Sequence, residues 1–257
     1  DSFYLPQYYE YLQPVDDVLE ENNIPLDSWF EFAQEIMKPE DETLAMWYDT
    51  DVRALYYRKD LVDTPPANWT ELFDTMEDLK EDGYSFLYPA GENETTTCDI
   101  LPWFWSQGGE LLDDDGKPVF NEGDNQKAML ETLNFLKKTI DTGITPQRVT
   151  SFMTDGDMIE DIAGGNVAMF VGGSWLATQI GAVIGEDTFN EMYGITDIPC
   201  MDGYDPSTCC GGWTYGIFTQ DEAKRKLAAQ FIIDMFISDE GNVGYTTASG
   251  NLPCRET

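Results

Sequence analysis

A stretch near the start of the chain combines the residue types that a binding cleft needs. Residues 45–60 read AMWYDTDVRALYYRKD. The aromatic and charged side chains of its first part are Trp47, Tyr48, Asp49, Asp51 and Arg53. An apolar run, residues 54–57, follows them. Aromatic rings and carboxylates at the mouth of an apolar strand are typical of a strand that ends in a cleft, although an edge strand with surface charges gives the same pattern.

Two later segments each join glycines to a tryptophan beside a predicted strand. An apolar run, residues 166–171, leads into Gly172-Gly173-Ser174-Trp175, and Gly211-Gly212-Trp213 opens a second strand. Such turns place backbone N–H groups and a ring at the edge of a sheet. The spacing fits neither a dinucleotide fingerprint nor a P-loop, which excludes a phosphate site of those types. For Trp175, a core position behind a tight turn stays open as an alternative.

The charge of the chain restricts its partners. With 14 basic and 49 acidic residues among 257, the formal net charge is -35. That field repels nucleic acid and anionic membrane surfaces, so we predict no nucleic-acid partner. It suits high salt or low pH, where screening or protonation relieves the repulsion, and the sequence does not separate these two environments.

The sequence lacks the residue patterns that are typical of a catalytic site. Histidine is absent, which excludes Ser-His and Cys-His nucleophiles and His-containing zinc sites. A two-carboxylate glycoside hydrolase is the physical alternative, but no motif distinguishes one carboxylate pair from the rest. We therefore predict no catalytic residues, no metal and no cofactor.

The five cysteines form no C-x-x-C pair. In an exported protein they are typical of disulfides with one cysteine left over. Adjacent cysteines bond each other poorly, so we predict that Cys209 or Cys210 pairs with Cys200 or Cys254.

Helical and strand-like patterns follow one another along the chain. Helices are predicted over 70–82, 128–142, 152–163 and 223–237, and strands over 84–88, 166–171 and 192–198. Asn68 or Thr70 is the predicted cap of the first of these helices. In the last helix, the residues predicted on the buried side are Leu227, Ala228, Phe231, Ile232, Met235 and Phe236.

Several segments, in order along nearly the whole chain, resemble cluster 1 extracellular solute-binding proteins, the sugar-binding subunits of ABC importers related to maltose- and trehalose-binding proteins. These segments are DTDVRALYYRKDL, PPANWTELFDTMEDL, FWSQGGELLDDDGKPVFN, GGNVAMFVGGSW, CGGWTYGIF and AAQFIIDMFISDEGN followed by SGNLPCR. Each piece alone is weakly specific, and their order makes the resemblance specific.

The resemblance implies a type II periplasmic-binding-protein-like fold, with two α/β lobes joined by crossing strands. Residues 1–52 and 216–257 would form a partial N-terminal lobe, and residues 64–208 the C-terminal lobe. Residues 53–63 and 209–215 would be the hinge crossings. Family members usually extend further at both ends, so we expect an incomplete N-terminal lobe and, in the longer protein, a lipid anchor.

The same resemblance implies where a ligand binds. By motif position the expected ligand-binding residues are Tyr48, Asp49, Asp51, Arg53, Trp175, Gly212 and Trp213, with Trp103 and Trp105 as second-rank residues that could equally belong to the core. Sugars present C–H faces that stack on aromatic rings, and hydroxyls that pair with carboxylates and backbone groups. Trp175 and Trp213 would be the stacking rings.

The implied function is an extracellular or periplasmic monomer that captures a mono- or oligosaccharide in an interlobe cleft. It would deliver this ligand to the membrane permease subunits of an ABC importer. Another neutral or cationic solute on the same fold stays open, as do an adhesive or sensory protein and, less favoured, the hydrolase.

Overall fold

The computed structural model describes residues 2–255. Its strands are β1 (Ala45–Arg58), β2 (Ser85–Leu87), β3 (Val167–Gly173), β4 (Tyr193–Thr196) and β5 (Cys210–Gly216). Its α-helices are α1 (Asp16–Glu21), α2 (Glu31–Met37), α3 (Trp69–Glu81), α4 (Glu94–Trp105), α5 (Gly123–Asp141), α6 (Ile159–Ala163), α7 (Leu176–Ile184), α8 (Glu186–Met192), α9 (Glu222–Ile232) and α10 (Asp239–Ser249). Short 3-10 helices occupy Leu5–Tyr11, Leu26–Ser28, Gln147–Ser151 and Asp155–Met158, and a π-helical turn, Ile233–Ile237, follows α9.

The chain divides into two compact units. Unit 1 consists of Asp1–Asp51 and Cys210–Thr257, and unit 2 consists of Val52–Cys209. Strand β1 begins in the first segment of unit 1 and continues into unit 2. The residues of the predicted crossings thus lie at or beside the two positions where the chain passes from one unit to the other.

Unit 2 is organised around the second half of β1. There β1 pairs antiparallel with β3, with Arg53 opposite Gly173 and Tyr57 opposite Met169, and antiparallel with β4 on its other side. Strand β2 is parallel to β3, which gives the order β2-β3-β1-β4. Because side chains alternate across a sheet, β1 sends Leu55 into one buried cluster and Tyr56 into another.

Helices cover both sets of buried side chains in unit 2. Helix α3 begins where the Asn68 side chain accepts a hydrogen bond from the Glu71 N–H at 2.9 Å, as the sequence predicts. Its buried residues, which include Leu72 and Met76, pack in the cluster that contains Leu55. Helix α7 buries Ile180 in the cluster that contains Tyr56.

Unit 1 places the first half of β1 in a core of its own. Met46 and Trp47 are buried there with residues of α1, α2, α9 and the π-helical turn. Strand β5 pairs with β1. The Trp29 indole N–H donates to the Trp47 carbonyl at 2.8 Å, so the buried aromatic residues of this core are also hydrogen-bonded.

The predicted buried side of the last helix is only partly correct. Ile232 is buried, and Ala228 and Phe236 are partly buried against the same core. Leu227 and Phe231, however, are 73% and 58% exposed, and Met235, just beyond α9, is 50% exposed.

Polar contacts with α1 explain which face of α9 is buried. Asn22 and Gln230 exchange side-chain hydrogen bonds at 2.8 and 3.0 Å, and Arg225 donates to both carboxylate oxygens of Asp17 at 2.7 and 2.6 Å. Because these contacts are polar, hydrophobic periodicity does not predict which face of α9 is buried. The helix predicted over 152–163 is also only partly helical, since it resolves into the 3-10 helix Asp155–Met158 and α6.

Candidate functional site

In unit 1, the predicted site residue Asp49 is a buried hub on β1. Its Oδ1 accepts a hydrogen bond from the backbone N–H of Trp213 at 3.1 Å. Its Oδ2 accepts one from the Asn251 side-chain amide at 2.7 Å. Asn251 follows Gly250, which ends α10 in the left-handed conformation with φ 82°. The carboxylate therefore ties together β1, β5 and the segment after α10.

Burial dominates the electrostatics of Asp49. It raises the pKa of this carboxyl above its ordinary value, and the neighbouring Asp51 charge acts in the same direction. The hydrogen bonds from Asn251, Trp213 and Tyr245 lower the pKa and offset only part of the rise. With both oxygens held by protein donors, Asp49 is suited to positioning β5.

Trp213 is the exposed aromatic ring of this set. It lies on β5 and is 49% exposed, which is unusual for a tryptophan and leaves ring surface available for stacking. Its backbone is fixed by Asp49, so the ring is carried on a rigid element.

Gly212 allows β5 to approach β1. A Cβ at Gly212 would lie 2.2 Å from the Asp49 carbonyl oxygen and 2.5 Å from Cζ2 of Trp47. No side chain fits there without moving the backbone of β1. The structure therefore places Gly212 as a packing residue beside Trp213.

Tyr48 and Asp51 are also placed in unit 1. The Tyr48 ring is buried, stacks on Tyr215 at 4.4 Å between centroids, and contacts Tyr245 edge-on. Burial, with a smaller contribution from the Asp49 charge, raises the pKa of Tyr48. Tyr48 thus belongs to an aromatic cluster with Tyr215 and Tyr245, and it is the neighbour of Asp49 on β1.

Asp51 is nearly buried in unit 1. A side chain added at Gly211 would approach its Oδ1 at 3.3 Å. Burial, and secondarily the Asp51 charge, raise the pKa of Cys210 to about 11. The Asp51 carboxylate therefore lies close to Cys210 and Gly211, the first two residues of β5.

In unit 2, Arg53 forms a buried ion pair that the sequence does not predict. Its Nε lies 2.8 Å from Oδ1 of Asp99 on α4, and both side chains are almost fully buried. Its guanidinium lies over the Trp175 ring, 4.6 Å from the centroid. Such a cation–π contact, away from bulk water, favours one orientation of the ring.

Trp175 is partly exposed at the beginning of α7. Its ring packs against Gly173, where a Cβ would lie 2.3 Å from Cη2 of the indole. The Gly173 N–H donates to Oδ2 of Asp155 at 3.3 Å. The glycines before Trp175 thus leave space for the ring, as the turn interpretation requires.

Asp99 lies in an unusual electrostatic environment. Burial raises its pKa well above the ordinary value, and the nearby Asp155 carboxyl raises it further, while Arg53 opposes both effects. Two carboxyl groups and one guanidinium therefore share a buried region of unit 2.

Trp103 and Trp105 differ in their placement. Trp103 is 1% exposed and packs against Trp69 and Phe135 in the core. We therefore do not retain Trp103 among the candidate ligand contacts. Trp105, the last residue of α4, is partly exposed and stays a candidate.

The predicted disulfide is not supported. No disulfide joins any two of the five cysteines, of which four are buried and Cys210 is exposed. Cys209, at the end of unit 2, instead lies beside Cys98 of α4, and this contact together with burial raises the pKa of Cys98. A pairing of Cys209 or Cys210 with Cys200 or Cys254 is absent.

Across residues 2–255, no group of three or more histidine, cysteine, aspartate or glutamate side chains is arranged to hold a metal ion. No helix in that part of the chain is long and apolar enough to cross a membrane.

The residues that sequence reasoning missed are Asn251, Asp99 and Asp155. Asn251 falls in the SGNLPCR segment, which points to a functional loop without indicating which residue contacts Asp49. Asp99 and Asp155 carry no local pattern, since their partners are distant in sequence.

Residues 7–243 match the family described as bacterial extracellular solute-binding protein. Among solved structures, the chain is similar to maltose-bound MalE3 of T. maritima, with a TM-score of 0.83 and 22% identity over 99% of this chain and 65% of that chain. It is similar to the GacH receptor of Streptomyces glaucescens, studied unliganded and with acarbose, with a TM-score of 0.76 and 19% identity over 99% of this chain and 64% of that chain.

A third similar structure is an ABC transporter solute-binding protein of Agrobacterium radiobacter K84 in complex with ribitol. Its TM-score is 0.77, with 22% identity over 96% of this chain and 63% of that chain. The chain thus spans 63–65% of the length of these three solved proteins. Their similarity establishes a periplasmic-binding-protein-like α/β fold, as the sequence predicts.

Proposed function

The chain belongs to the bacterial extracellular solute-binding protein family, and on that premise we propose that it binds a carbohydrate outside the cell and delivers it to the permease subunits of an ABC importer. The observation that carries the proposal is the pair of tryptophans, Trp213 in unit 1 and Trp175 in unit 2. Each follows a pair of glycines, Trp213 within β5 and Trp175 just beyond the end of β3, and each is partly exposed.

The chemistry of these tryptophans favours a neutral sugar or polyol. An indole ring carried on a fixed backbone offers a flat apolar surface to the C–H face of a sugar. The maltose-bound and ribitol-bound structures that this chain resembles are complexes of the same ligand class. Their low identity leaves the individual sugar to experiment.

Charge argues against an anionic solute. The 49 acidic residues give an unfavourable field for anions. A cationic solute would need ionised carboxylates with free oxygens, whereas both oxygens of Asp49 accept hydrogen bonds from protein donors and its pKa is raised. A polyamine is therefore a weaker candidate than a sugar.

Calorimetric titration of the full chain against mono-, di- and oligosaccharides and polyols tests the proposal. The contents of the cell are analysed afterwards by chromatography. Binding with an unchanged ligand supports a transport receptor, whereas release of smaller sugars supports the two-carboxylate hydrolase. If a folded protein binds none of the sugars and polyols but binds a polyamine or a peptide, the carbohydrate proposal is wrong.

Delivery is tested separately. We propose that the protein acts as a monomer, and light scattering in solution measures its mass with and without the bound sugar. Sugar-stimulated ATP hydrolysis by the importer in vesicles, with this protein added outside, would support delivery. Sugar binding without such stimulation would support a sensory or adhesive role.

A further inference from the structure

The orientation of Trp175 depends on two neighbours that are themselves held by buried carboxyl groups. The Arg53 guanidinium lies over the Trp175 ring, 4.6 Å from its centroid, and the Gly173 backbone packs against the six-membered ring of the indole. Asp99 holds Arg53 through the 2.8 Å ion pair. Asp155 accepts the hydrogen bond from the Gly173 N–H at 3.3 Å.

These two acids come from different elements, and their carboxyl groups are hydrogen-bonded to each other. Asp99 lies on α4, and Asp155 begins the 3-10 helix Asp155–Met158. They are 1% and 2% exposed, so neither is available to a ligand directly. Each instead acts on one group that contacts the indole ring.

We infer that Asp99 and Asp155 are positioning residues for Trp175, which through Arg53 and the Gly173 backbone hold its ring in the orientation that stacks on the ligand. The inference rests on the proposed function for its ligand, but the orientation of the ring is a property of the unliganded protein. It extends the candidate site to two acids that do not touch the sugar.

A buried ion pair that only stabilises the core would give a different result. Its loss would lower the stability of unit 2 without changing the exposure of one particular indole. Here each support is in direct contact with the ring or with a group beside it. Trp175 is therefore expected to respond locally to removal of either carboxylate.

The surroundings of the pair make the arrangement sensitive to pH. Strand β1 contributes Arg53 and Tyr56, α4 contributes Cys98 and Glu94, and Cys209 lies beside Cys98. Because burial and the Asp155 carboxyl raise the pKa of Asp99, this acid keeps its proton to higher pH than an ordinary aspartate. Its ionisation at higher pH places a negative charge beside Arg53.

Acrylamide quenching of tryptophan fluorescence tests the inference without any ligand. Wild type, Asp99→Asn and Asp155→Asn are each measured with and without Trp175→Phe, so that the difference isolates the Trp175 ring. Asp60→Asn is the matched control, because it removes a different arginine–aspartate pair of unit 2. In that pair Nη2 of Arg58 lies 2.6 Å from Oδ2 of Asp60. Circular dichroism verifies that each variant is folded.

We expect quenching of Trp175 to increase in Asp99→Asn and Asp155→Asn and to stay at the wild-type level in Asp60→Asn. For a sugar that the wild type binds, affinity is expected to fall by about three- to ten-fold in the first two variants, in the range of coupling between contacting residues. Folded Asp99→Asn and Asp155→Asn proteins with unchanged Trp175 quenching would overturn the inference.

If the two variants do not fold, the wild type supplies the measurement. The Trp175 contribution to quenching, again from the difference with Trp175→Phe, is followed from acid to alkaline pH over the range where the protein is folded. If Trp175 quenching changes with pH and the Asp60→Asn protein shows the same change, the inference is supported, because the Arg58–Asp60 pair is then not the cause. Trp175 quenching that does not change with pH contradicts the inference. If no sugar binds, the proposed function fails while the quenching result still decides this inference.

Discussion

The backbone N–H of Trp213 donates a hydrogen bond to Oδ1 of Asp49 at 3.1 Å, so a buried carboxylate on β1 fixes the residue that presents an exposed indole on β5. The other oxygen of the same carboxylate accepts from Asn251. One side chain thus controls two segments that are distant in sequence. This relationship leads to the first prediction.

Replacing Asp49 by alanine removes the acceptor of both hydrogen bonds. We expect a loss of about 1–3 kcal/mol in the free energy of unfolding, the cost of leaving partly buried donors and their hydrogen bonds unpaired. Urea denaturation measures it. Asp49→Asn is the control, because an asparagine oxygen still accepts from Trp213 and its amide can face the Asn251 oxygen, which has no hydrogen-bond partner in the structure. Equal losses in the two variants would contradict the proposed role.

Removal of the Trp213 ring is expected to affect binding more than folding. Trp213→Ala is predicted to weaken sugar binding by about 1–3 kcal/mol, as for a stacked aromatic anchor, with a small change in melting temperature because the ring is half exposed. Calorimetry measures the affinity. Phe218→Ala removes another exposed aromatic ring close by in the chain and is expected to bind normally. A folded Trp213→Ala protein with wild-type affinity would exclude the stacking role.

The Arg53–Asp99 pair gives a third prediction. Arg53→Ala leaves a buried carboxyl without its cation and is expected to destabilise the protein by about 3–5 kcal/mol. The double variant Arg53→Ala, Asp99→Ala is expected to be less destabilised than the sum of the two single variants. A double-mutant cycle from denaturation experiments measures this coupling. Strict additivity would show that the pair does not interact.

The pH dependence of stability follows from the raised pKa values of Asp49 and Asp99. A carboxyl group whose pKa is raised on folding binds its proton more tightly in the folded state. Its contribution to stability is complete below the ordinary value of 3.8 and is lost as pH rises through the raised pKa. We therefore expect the unfolding free energy of wild type to fall relative to that of Asp49→Asn as pH rises from about 4.

Asp17 is the control, because folding lowers its pKa and its contribution to stability therefore depends on pH in the opposite direction. Its hydrogen bond to Arg225 is the main cause that lowers its pKa, so its contribution is present above 3.8 and is lost as pH falls. The difference between wild type and Asp17→Asn is expected to shrink toward acid pH. Identical pH profiles for the Asp49 and Asp17 variants would refute the assignment of signs.

Salt is expected to stabilise the protein. The formal charge of -35 makes the folded state repel itself, and the screening length falls from about 10 Å at 0.1 M salt to about 3 Å at 1 M. Melting temperature measured against NaCl concentration is expected to rise. Glycerol at matched osmolality is the control, since it does not screen charge, and an equal rise in glycerol would contradict the electrostatic cause.

Much of the fold could be predicted because it depends on local patterns. The strand around residues 54–57, the cap at Asn68 and the glycines before Trp175 and Trp213 each follow from neighbouring residue types. These patterns identify an element without its partners. The family resemblance, which the family match confirms, supplied the overall fold.

The rest depends on contacts between distant parts of the chain. Asp49 meets Asn251, and Arg53 meets Asp99, through folding rather than through spacing. Arg53, which the resemblance implies as a ligand contact, is buried with its guanidinium over the Trp175 ring, and no spacing in the sequence indicates this packing. Trp103 shows that a tryptophan close to a motif can be wholly part of the core.

Gly212 and Trp213 are neighbours in sequence but differ in how freely they can evolve. A single-base change that alters Trp213 exchanges a half-exposed ring and leaves the strand pair intact, so under the proposed stacking role ligand preference can change there at little cost to folding. Any change at Gly212 drives a new atom to within 2.2 Å of the Asp49 carbonyl. Diverging lineages that acquire new ligands are therefore expected to retain the glycine and vary the residue after it. An engineer who seeks a new specificity has the same choice of position.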